Sequence, residues 1–264
     1  MKRLIRTEFN QLSKSVLYRW LLVICFLIAL NSAGLDKRYT RIAHVTGYEW
    51  FCTVQLTGGI VLIPICIFAA DYVAGAFANR TCTADLTCGF TRRKIFGAKV
   101  IVYLIGLVPL YLMNTIIGTF SRTIQFGFGA ELNLSTIMQM LKVFTYYIMT
   151  YSIIIGMFFF MWAVITRSRV GTIGFGLGTL QIIGSITSSV GYKIGYMKDS
   201  IGKTIGEFIF QFNPLYQIHS LMKPQLFKQI PFRMFFISAV IWFGLILLVS
   251  MRIFERREEV FCEE

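Results

Sequence analysis

The sequence predicts an all-α integral membrane protein with six transmembrane helices in a single domain that covers residues 1–264. Two additional helices are expected, an interfacial helix at the N-terminus and an amphipathic outer helix between spans five and six. Of the 264 residues, 56% are apolar and only 15% are charged, whereas a soluble domain averages about 25% charged residues. The apolar residues form long uncharged runs, and a soluble fold of this composition would expose large apolar patches.

The net positive charge of the chain is best explained by contact with lipid headgroups. The formal net charge is +13, and the 26 Lys and Arg residues lie mostly between the apolar runs. At such positions cations meet lipid headgroups and set the orientation of a membrane protein. A strongly basic soluble protein would suggest nucleic acid, but no nucleic-acid motif accompanies the charge. The expected partner is the lipid bilayer, with no nucleic acid.

The chain begins with a predicted basic amphipathic helix over residues 1–16. Ile5, Phe9, Leu12 and Val16 recur at helical spacing, and a helix of this kind lies in the headgroup plane. A simple cytoplasmic tail is the alternative. The apolar run that follows, with Asn31 to Gly34 after it, also resembles a cleavable signal peptide, but the long amphipathic lead-in argues against cleavage.

Six runs are long and apolar enough to predict spans, which need about 20 residues each. They cover residues 17–35, 50–71, 97–120, 143–165, 170–192 and 232–251. A tight basic turn joins the fourth and fifth runs, and the fifth contains Gly174 and Gly178, a spacing that permits close helix packing. The outer amphipathic helix has its apolar face at Ile201, Ile205, Phe208 and Phe212.

An even number of spans places both termini on one side, and the distribution of basic residues selects that side. With the termini inside, 15 Lys and Arg fall on the inner side and 11 on the outer side. The positive-inside rule then predicts a multi-pass protein of the cell membrane with cytoplasmic termini.

Motifs for enzymatic chemistry are absent from the sequence. It contains no HExxH, no GxSxG and no Walker sequence, so ATP hydrolysis by this chain is not expected. The six cysteines form no CxxC or Cys/His metal pattern and are expected to be free thiols. No metal, cofactor or catalytic residue is predicted.

The connection between the second and third spans has a recognisable pattern. Asp71 ends the second run, Gly75 follows four residues later, and Gly89, Thr91, Arg92 and Lys99 complete it. With the six spans and the two amphipathic helices, this pattern resembles the permease subunits of type 2 family ABC exporters. Ala76 replaces a more usual Thr, and Thr91 a commoner Ser.

The resemblance implies a function and partners. A coupling helix would dock on a separate ABC ATPase subunit, where ATP and Mg would bind, and a second permease protomer, identical or related, would complete the translocation path. The helix would comprise Asn79, Arg80, Thr81, Cys82, Thr83, Ala84, Asp85, Leu86, Thr87 and Cys88. The apolar spans suit a hydrophobic or amphipathic cargo, such as a lipid, a drug or an antimicrobial peptide, as in bacterial export and self-protection systems.

Three other interpretations of the chain remain open. An ion-coupled secondary transporter would use Asp71, the acid that abuts the end of a span. A non-transport scaffold or sensor partner would have the same spans without ATP-dependent transport. The whole stretch from Asp71 to Lys99 could also be a solvated basic loop that only obeys the positive-inside rule, and Arg92 to Lys94 could hold the third span at the headgroups.

Overall fold

Helices make up most of the structure, a computed structural model. About 90% of the described residues are helical, and no strand occurs among them. The described residues are 1–39, 46–52, 61–79, 81–147, 153–196, 201–214, 217 and 232–257. Arg80, part of the predicted second and fourth spans, and the histidines at 44 and 219 lie outside these ranges.

Eleven helices lie within the described ranges. In chain order they are α1 (Lys2–Lys14), α2 (Val16–Tyr39), α3 (Gly47–Cys52), α4 (Leu62–Ala78), α5 (Thr81–Thr87), α6 (Arg92–Phe126), α7 (Leu134–Tyr147), α8 (Ile153–Thr166), α9 (Arg169–Tyr196), α10 (Ile201–Gln211) and α11 (Phe232–Arg257). In α4, residues Ala70–Ala74 form a π-helical turn. In α8, residues 153–155 are also π-helical.

Three helices, α6, α9 and α11, are long and apolar enough to cross a membrane. A fourth span is added if α1 and α2, which meet at a bend of 60°, count as one broken span. The shorter helices α4 and α8 are apolar too, but alone they are shorter than a bilayer. The described residues therefore contain three helices, or four with the bent pair, that could cross a membrane, and the six predicted spans are not confirmed.

Helix α6 is the centre of the bundle. Helices α1, α2, α3 and α11 pack along it, and half of its most apolar stretch is buried within the chain. Its 35 residues give a length of about 52 Å, against about 30 Å for the hydrocarbon core of a bilayer. It thus extends beyond the predicted span, residues 97–120, at both ends, and at its C-terminal end it continues through residues 121–126 of the loop predicted between the third and fourth spans.

A chain of stacked aromatic rings joins the helices near the start of α6. Phe68 and Tyr103 lie nearly parallel with ring centroids 5.1 Å apart, and Phe160 contacts Tyr103 at 5.3 Å. Phe96 links Phe160 to Phe254 on α11, at 5.7 and 5.5 Å. These rings connect α4, α6, α8 and α11 into one packed unit, since aromatic pairs contribute about 0.5–1.5 kcal/mol beyond their buried area.

Helix α1 is amphipathic as predicted, but its apolar side faces protein. Leu4 and Leu12 are buried, whereas Phe9 and Val16 of the predicted apolar face are exposed. The buried side packs against α6, and the basic residues occupy the opposite side. The buried side of the helix differs from the predicted apolar face, because it is formed by Leu4, Glu8 and Leu12, which share one side at four-residue spacing.

Both described chain ends meet the same end of α6. Helix α1 lies against its first turns, and Glu255 near the end of α11 contacts Arg92 and Arg93. We call this region, which contains α1, α5, the start of α6 and the end of α11, the α5 end of the bundle. Helix α3 docks at the other end, where the Tyr48 amide donates to the Phe128 carbonyl at 2.9 Å.

Candidate functional site

The predicted coupling segment forms a short separate helix, α5, between α4 and α6. Its N-terminus is tied back to α4, because the Thr81 hydroxyl donates to the Ala76 carbonyl at 3.0 Å. Its C-terminus closes at Gly89, whose φ of +83° lies in the left-handed region and whose amide donates to the Leu86 carbonyl at 2.9 Å. The helix covers Thr81–Thr87 of the predicted segment, Asn79 and Cys88 lie in turns, and Arg80 lies outside the described residues.

The two sides of α5 differ in burial. Cys82 is buried, with Asp85 and Leu86 half-buried, and these residues attach the helix to the bundle. Ala84 and Thr87 are exposed, together with Cys88 just after the helix. The exposed side is small and uncharged, which suits close approach of a partner surface.

Asp85 is the acidic residue of α5. Burial raises the pKa of its carboxyl above the ordinary aspartate value, the nearby Lys99 ammonium opposes that shift, and the Glu8 carboxylate adds to it. Asp85 therefore lies in the field of both Glu8 and Lys99.

A buried ion pair links α1 to the start of α6. The Lys99 ammonium donates to Glu8 Oε1 at 2.6 Å, and the two side chains are only 3% and 5% exposed. The Tyr72 hydroxyl on α4 donates to the other oxygen, Oε2, at 2.8 Å. Removal of one partner from a buried pair of this kind costs about 3–5 kcal/mol, because the other charge is left uncompensated.

A second, more exposed pair joins α4 to α9. Arg169 lies 3.1 Å from the Asp71 carboxylate, with side-chain exposures of 54% and 25%, so solvent screening limits its worth to about 0–1 kcal/mol. Gly75 provides the space for it, since a Cβ there would lie 3.0 Å from the Arg169 guanidinium. Arg167 in the same turn places its guanidinium 4.8 Å from the Phe77 ring centroid.

The start of α6 is held by protein contacts. Thr91 occupies the N-cap position of α6 with extended backbone, but its side chain makes no capping hydrogen bond. Arg93 donates to the Glu255 carboxylate at 2.8 Å, and Arg92 donates to the Glu255 carbonyl at 3.3 Å. Arg92 and Arg93, two of the basic residues that could hold the third span at the headgroups, therefore also contact α11.

These contacts surround one cavity of about 220 Å³ at the α5 end. Six charged or phenolic side chains line its wall, one of which is Tyr18. We call the other five the flank cluster: Glu8, Asp71, Tyr72, Lys99 and Arg169. Asn79 and Thr81 at the start of the predicted coupling segment also line it. The cavity thus lies directly behind α5, between α1, α4, α6 and α9.

Of the family-motif positions, Asp71, Gly75 and Lys99 come together at this cavity. Gly89, Thr91 and Arg92 lie in the turn that leads from α5 into α6. The apolar residues of the outer helix lie far along the chain, on α10, where Ile201, Ile205 and Phe208 are exposed. Phe212 follows the end of that helix, and its ring centroid lies 5.4 Å from that of Phe208.

Three members of the flank cluster were not singled out by the sequence. Tyr72 and Arg169 have no distinguishing local pattern, and they meet their partners only through the fold. Glu8 did carry a signal, because an acid lies midway between Leu4 and Leu12 at four-residue spacing. An acid on the apolar side of a helix indicates a buried partner of opposite charge.

Comparison with known proteins gives no relative for this chain: no protein-family model matches it, and no curated protein matches its sequence. Its function is therefore argued from the geometry of the α5 end.

Proposed function

We propose that this chain is the membrane-spanning subunit of an ATP-driven exporter of the type 2 ABC family. A separate ATPase subunit would bind α5 and supply ATP and Mg, and a second protomer would complete the path. The observation that carries the proposal is the attachment of α5, a short helix whose described exposed residues are small and uncharged. The helices before and after it, α4 and α6, are bonded to α1, α9 and α11. A push on α5 would move α4 and α6 together, as a rigid-body switch requires.

The six-span topology is part of the same proposal. Helices α4 and α8 lie within the predicted second and fourth spans for most of their length, and residues 53–60 and 148–152 of those spans lie outside the described residues. Both chain ends then fall on one side, in agreement with the contacts of α1 and α11 at the α5 end.

The charge distribution supports a cytoplasmic position for the α5 end. Exposed cations are concentrated there, on the outer side of α1, the start of α6 and the end of α11: Lys2, Arg3, Arg6, Lys14, Arg93, Lys94, Arg252 and Arg256. Such residues favour the cytoplasmic face of a cell membrane, which is also where a soluble ATPase would meet α5.

The apolar, aromatic interior supports a hydrophobic or amphipathic cargo, such as a lipid, a drug or an antimicrobial peptide. Among the described residues, the long helices α9 and α11 carry charged residues only near their ends. A path lined by such helices would favour apolar molecules over ions, because ionised groups are costly to move through an uncharged interior.

The experiment is co-purification with candidate ABC ATPase subunits from the same organism, beginning with any that a neighbouring gene encodes. Replacement of Ala84 and Thr87 by Arg would put bulky charge on the exposed side of α5 and is expected to abolish ATPase retention in detergent. The matched control is Gln125→Arg, an exposed position at the far end of α6, which should retain the ATPase. Equal retention by the α5 variant and the control would contradict the proposal.

Transport assays separate this function from the two alternatives. Inside-out vesicles that contain the complex should take up a fluorescent amphipathic dye only when ATP is present. Uptake driven by a proton or sodium gradient without ATP, and lost in Asp71→Asn, would indicate an ion-coupled transporter. No uptake under either condition would favour a scaffold or sensor partner.

A further inference from the structure

We propose that Glu8 is a positioning residue that clamps the two flanks of the coupling helix α5, so that a force on α5 reaches α4 and α6 together. This inference rests on the proposed function of α5 as the ATPase contact. It assigns to the N-terminal helix a part in energy coupling, beyond attachment to the membrane.

The geometry places one carboxylate oxygen on each flank of α5. Oε2 of Glu8 accepts from Tyr72 on α4, before α5, at 2.8 Å. Oε1 accepts from Lys99 on α6, after α5, at 2.6 Å. The Lys99 ammonium also lies 5.6 Å from the centroid of the Tyr72 ring. The three side chains therefore form a closed triangle across the base of α5.

Burial makes this triangle stiff. Glu8 and Lys99 are 4% and 3% exposed, so the bulk solvent has little access to their hydrogen bond, and hydrogen bonds strengthen in surroundings of low dielectric constant. Each bond also has a preferred direction and length. The separation of Tyr72 from Lys99 is thus set by the two oxygens of a single side chain.

The attachment of α1 to the bundle does not explain why residue 8 carries a charge. Leu4 and Leu12, one turn to either side of Glu8, are buried against the bundle and would hold an amphipathic helix by themselves. Replacement of a buried ion pair by apolar residues of similar volume is often neutral or stabilising. A carboxylate at this position therefore contributes directional bonds that an apolar residue would not.

The first test measures the motion of α5. A spin label is attached to Cys88, the exposed thiol just after α5, and Cys88→Ser controls for labelling elsewhere. The double variant Glu8→Leu with Lys99→Met removes both charges, so it should fold, yet its label should be more mobile than in the wild type. Tyr72→Phe keeps the ion pair and removes one bond, and it should increase mobility as well.

The second test measures coupling in the complete complex with its ATPase. For the double variant we expect normal ATPase retention and normal thermal stability. The ratio of transport to ATP hydrolysis should fall about fivefold or more, because fivefold is the lower end of the usual coupling between two sites. The matched control is Asn10→Ala, on the exposed side of the same helix, which should leave this ratio unchanged. A merely structural role for Glu8 would leave the ratio unchanged in the stable double variant too.

The outcomes distinguish the inference from the proposed function. Wild-type label mobility and wild-type coupling in both the double variant and Tyr72→Phe would overturn the inference and leave the exporter function intact. A wild-type chain that retains no ATPase would overturn the function, and the label mobility would still decide whether Glu8 clamps α5.

Discussion

Asp85 is an acid held in a partly dehydrated position on α5. Burial raises the pKa of its carboxyl, and the Lys99 and Glu8 charges act on it in opposite directions. Because the folded-state pKa is above the unfolded-state value, the ionised carboxylate lowers stability at any pH above both. As the pH falls through the raised pKa, this penalty decreases, and below about 3.9 it vanishes.

We therefore expect Asp85→Asn to raise the thermal unfolding temperature at pH 7. The gain should shrink as the pH falls through the raised pKa of Asp85 and disappear below the ordinary aspartate range. Thermal unfolding in detergent between pH 3.5 and 8 measures this. Glu131→Gln, which removes one negative charge near the other end of α6, is the control. A gain for Asp85→Asn that did not change with pH would contradict the explanation.

The residues of the flank cluster show how far single positions could be predicted. Asp71 and Lys99 were found through a spacing pattern. Their partners lie far away in the chain, since Arg169 follows Asp71 by 98 residues and Glu8 precedes Lys99 by 91. Pairing over such distances depends on how helices pack, so no local pattern identifies the partner. Only Glu8 could have been recognised locally, because it lies between two leucines on the buried side of its helix.

At the scale of the element, Gly89 ends α5. Its φ of +83° is a conformation that L side chains rarely adopt, and no other atom lies within 4 Å of an added Cβ. Any cost of a substitution here is therefore backbone strain, uncomplicated by a clash. For a residue with a side chain this strain is about 1–2 kcal/mol, and Asn bears it better than Ala.

We expect Gly89→Ala to lower the free energy of unfolding by about 1–2 kcal/mol, and Gly89→Asn to lower it by less. Denaturant or thermal unfolding of the two variants checks the order. Gly184→Ala is the matched control, because Gly184 lies inside α9 with nothing within 4 Å and Ala favours a helix. If Gly89→Ala were as stable as the wild type, that result would contradict the left-handed backbone conformation at Gly89.

Helix types were easier to predict than helix ends. The segments predicted as spans are helical wherever they are described, because long apolar runs leave little choice inside a membrane. The ends differed where polar residues continue a helix. Helix α6 passes through the predicted loop as far as Phe126, and α7 begins at Leu134, before the predicted fourth span. Helical hydrogen bonding satisfies the backbone there too, so hydropathy alone does not locate these ends.

At the scale of the whole molecule, α9 has an open side. Only 17% of its most apolar stretch is buried within the chain, compared with 50% for α6 and 28% for α11. Gly174 and Gly178 lie on the helix with nothing within 4 Å of an added Cβ, and Ile182, one turn further, is 59% exposed. Small residues at four-residue spacing allow close helix contact, which makes α9 the candidate contact of the proposed second protomer.

We expect Gly178→Ile to weaken association between protomers while leaving each protomer folded. Inside one chain the larger side chain meets open space, so the thermal stability of the monomer should not fall. Across a close helix contact the larger side chain would overpack, which would weaken association by about 1–3 kcal/mol and raise the dissociation constant about 5- to 150-fold.

Native mass spectrometry or subunit counting in liposomes measures the fraction of dimer. Gly244→Ile on α11 is the control, since Gly244 also has nothing within 4 Å but lies on another helix. A dimer fraction reduced equally by both substitutions, or by neither, would exclude α9 as the contact.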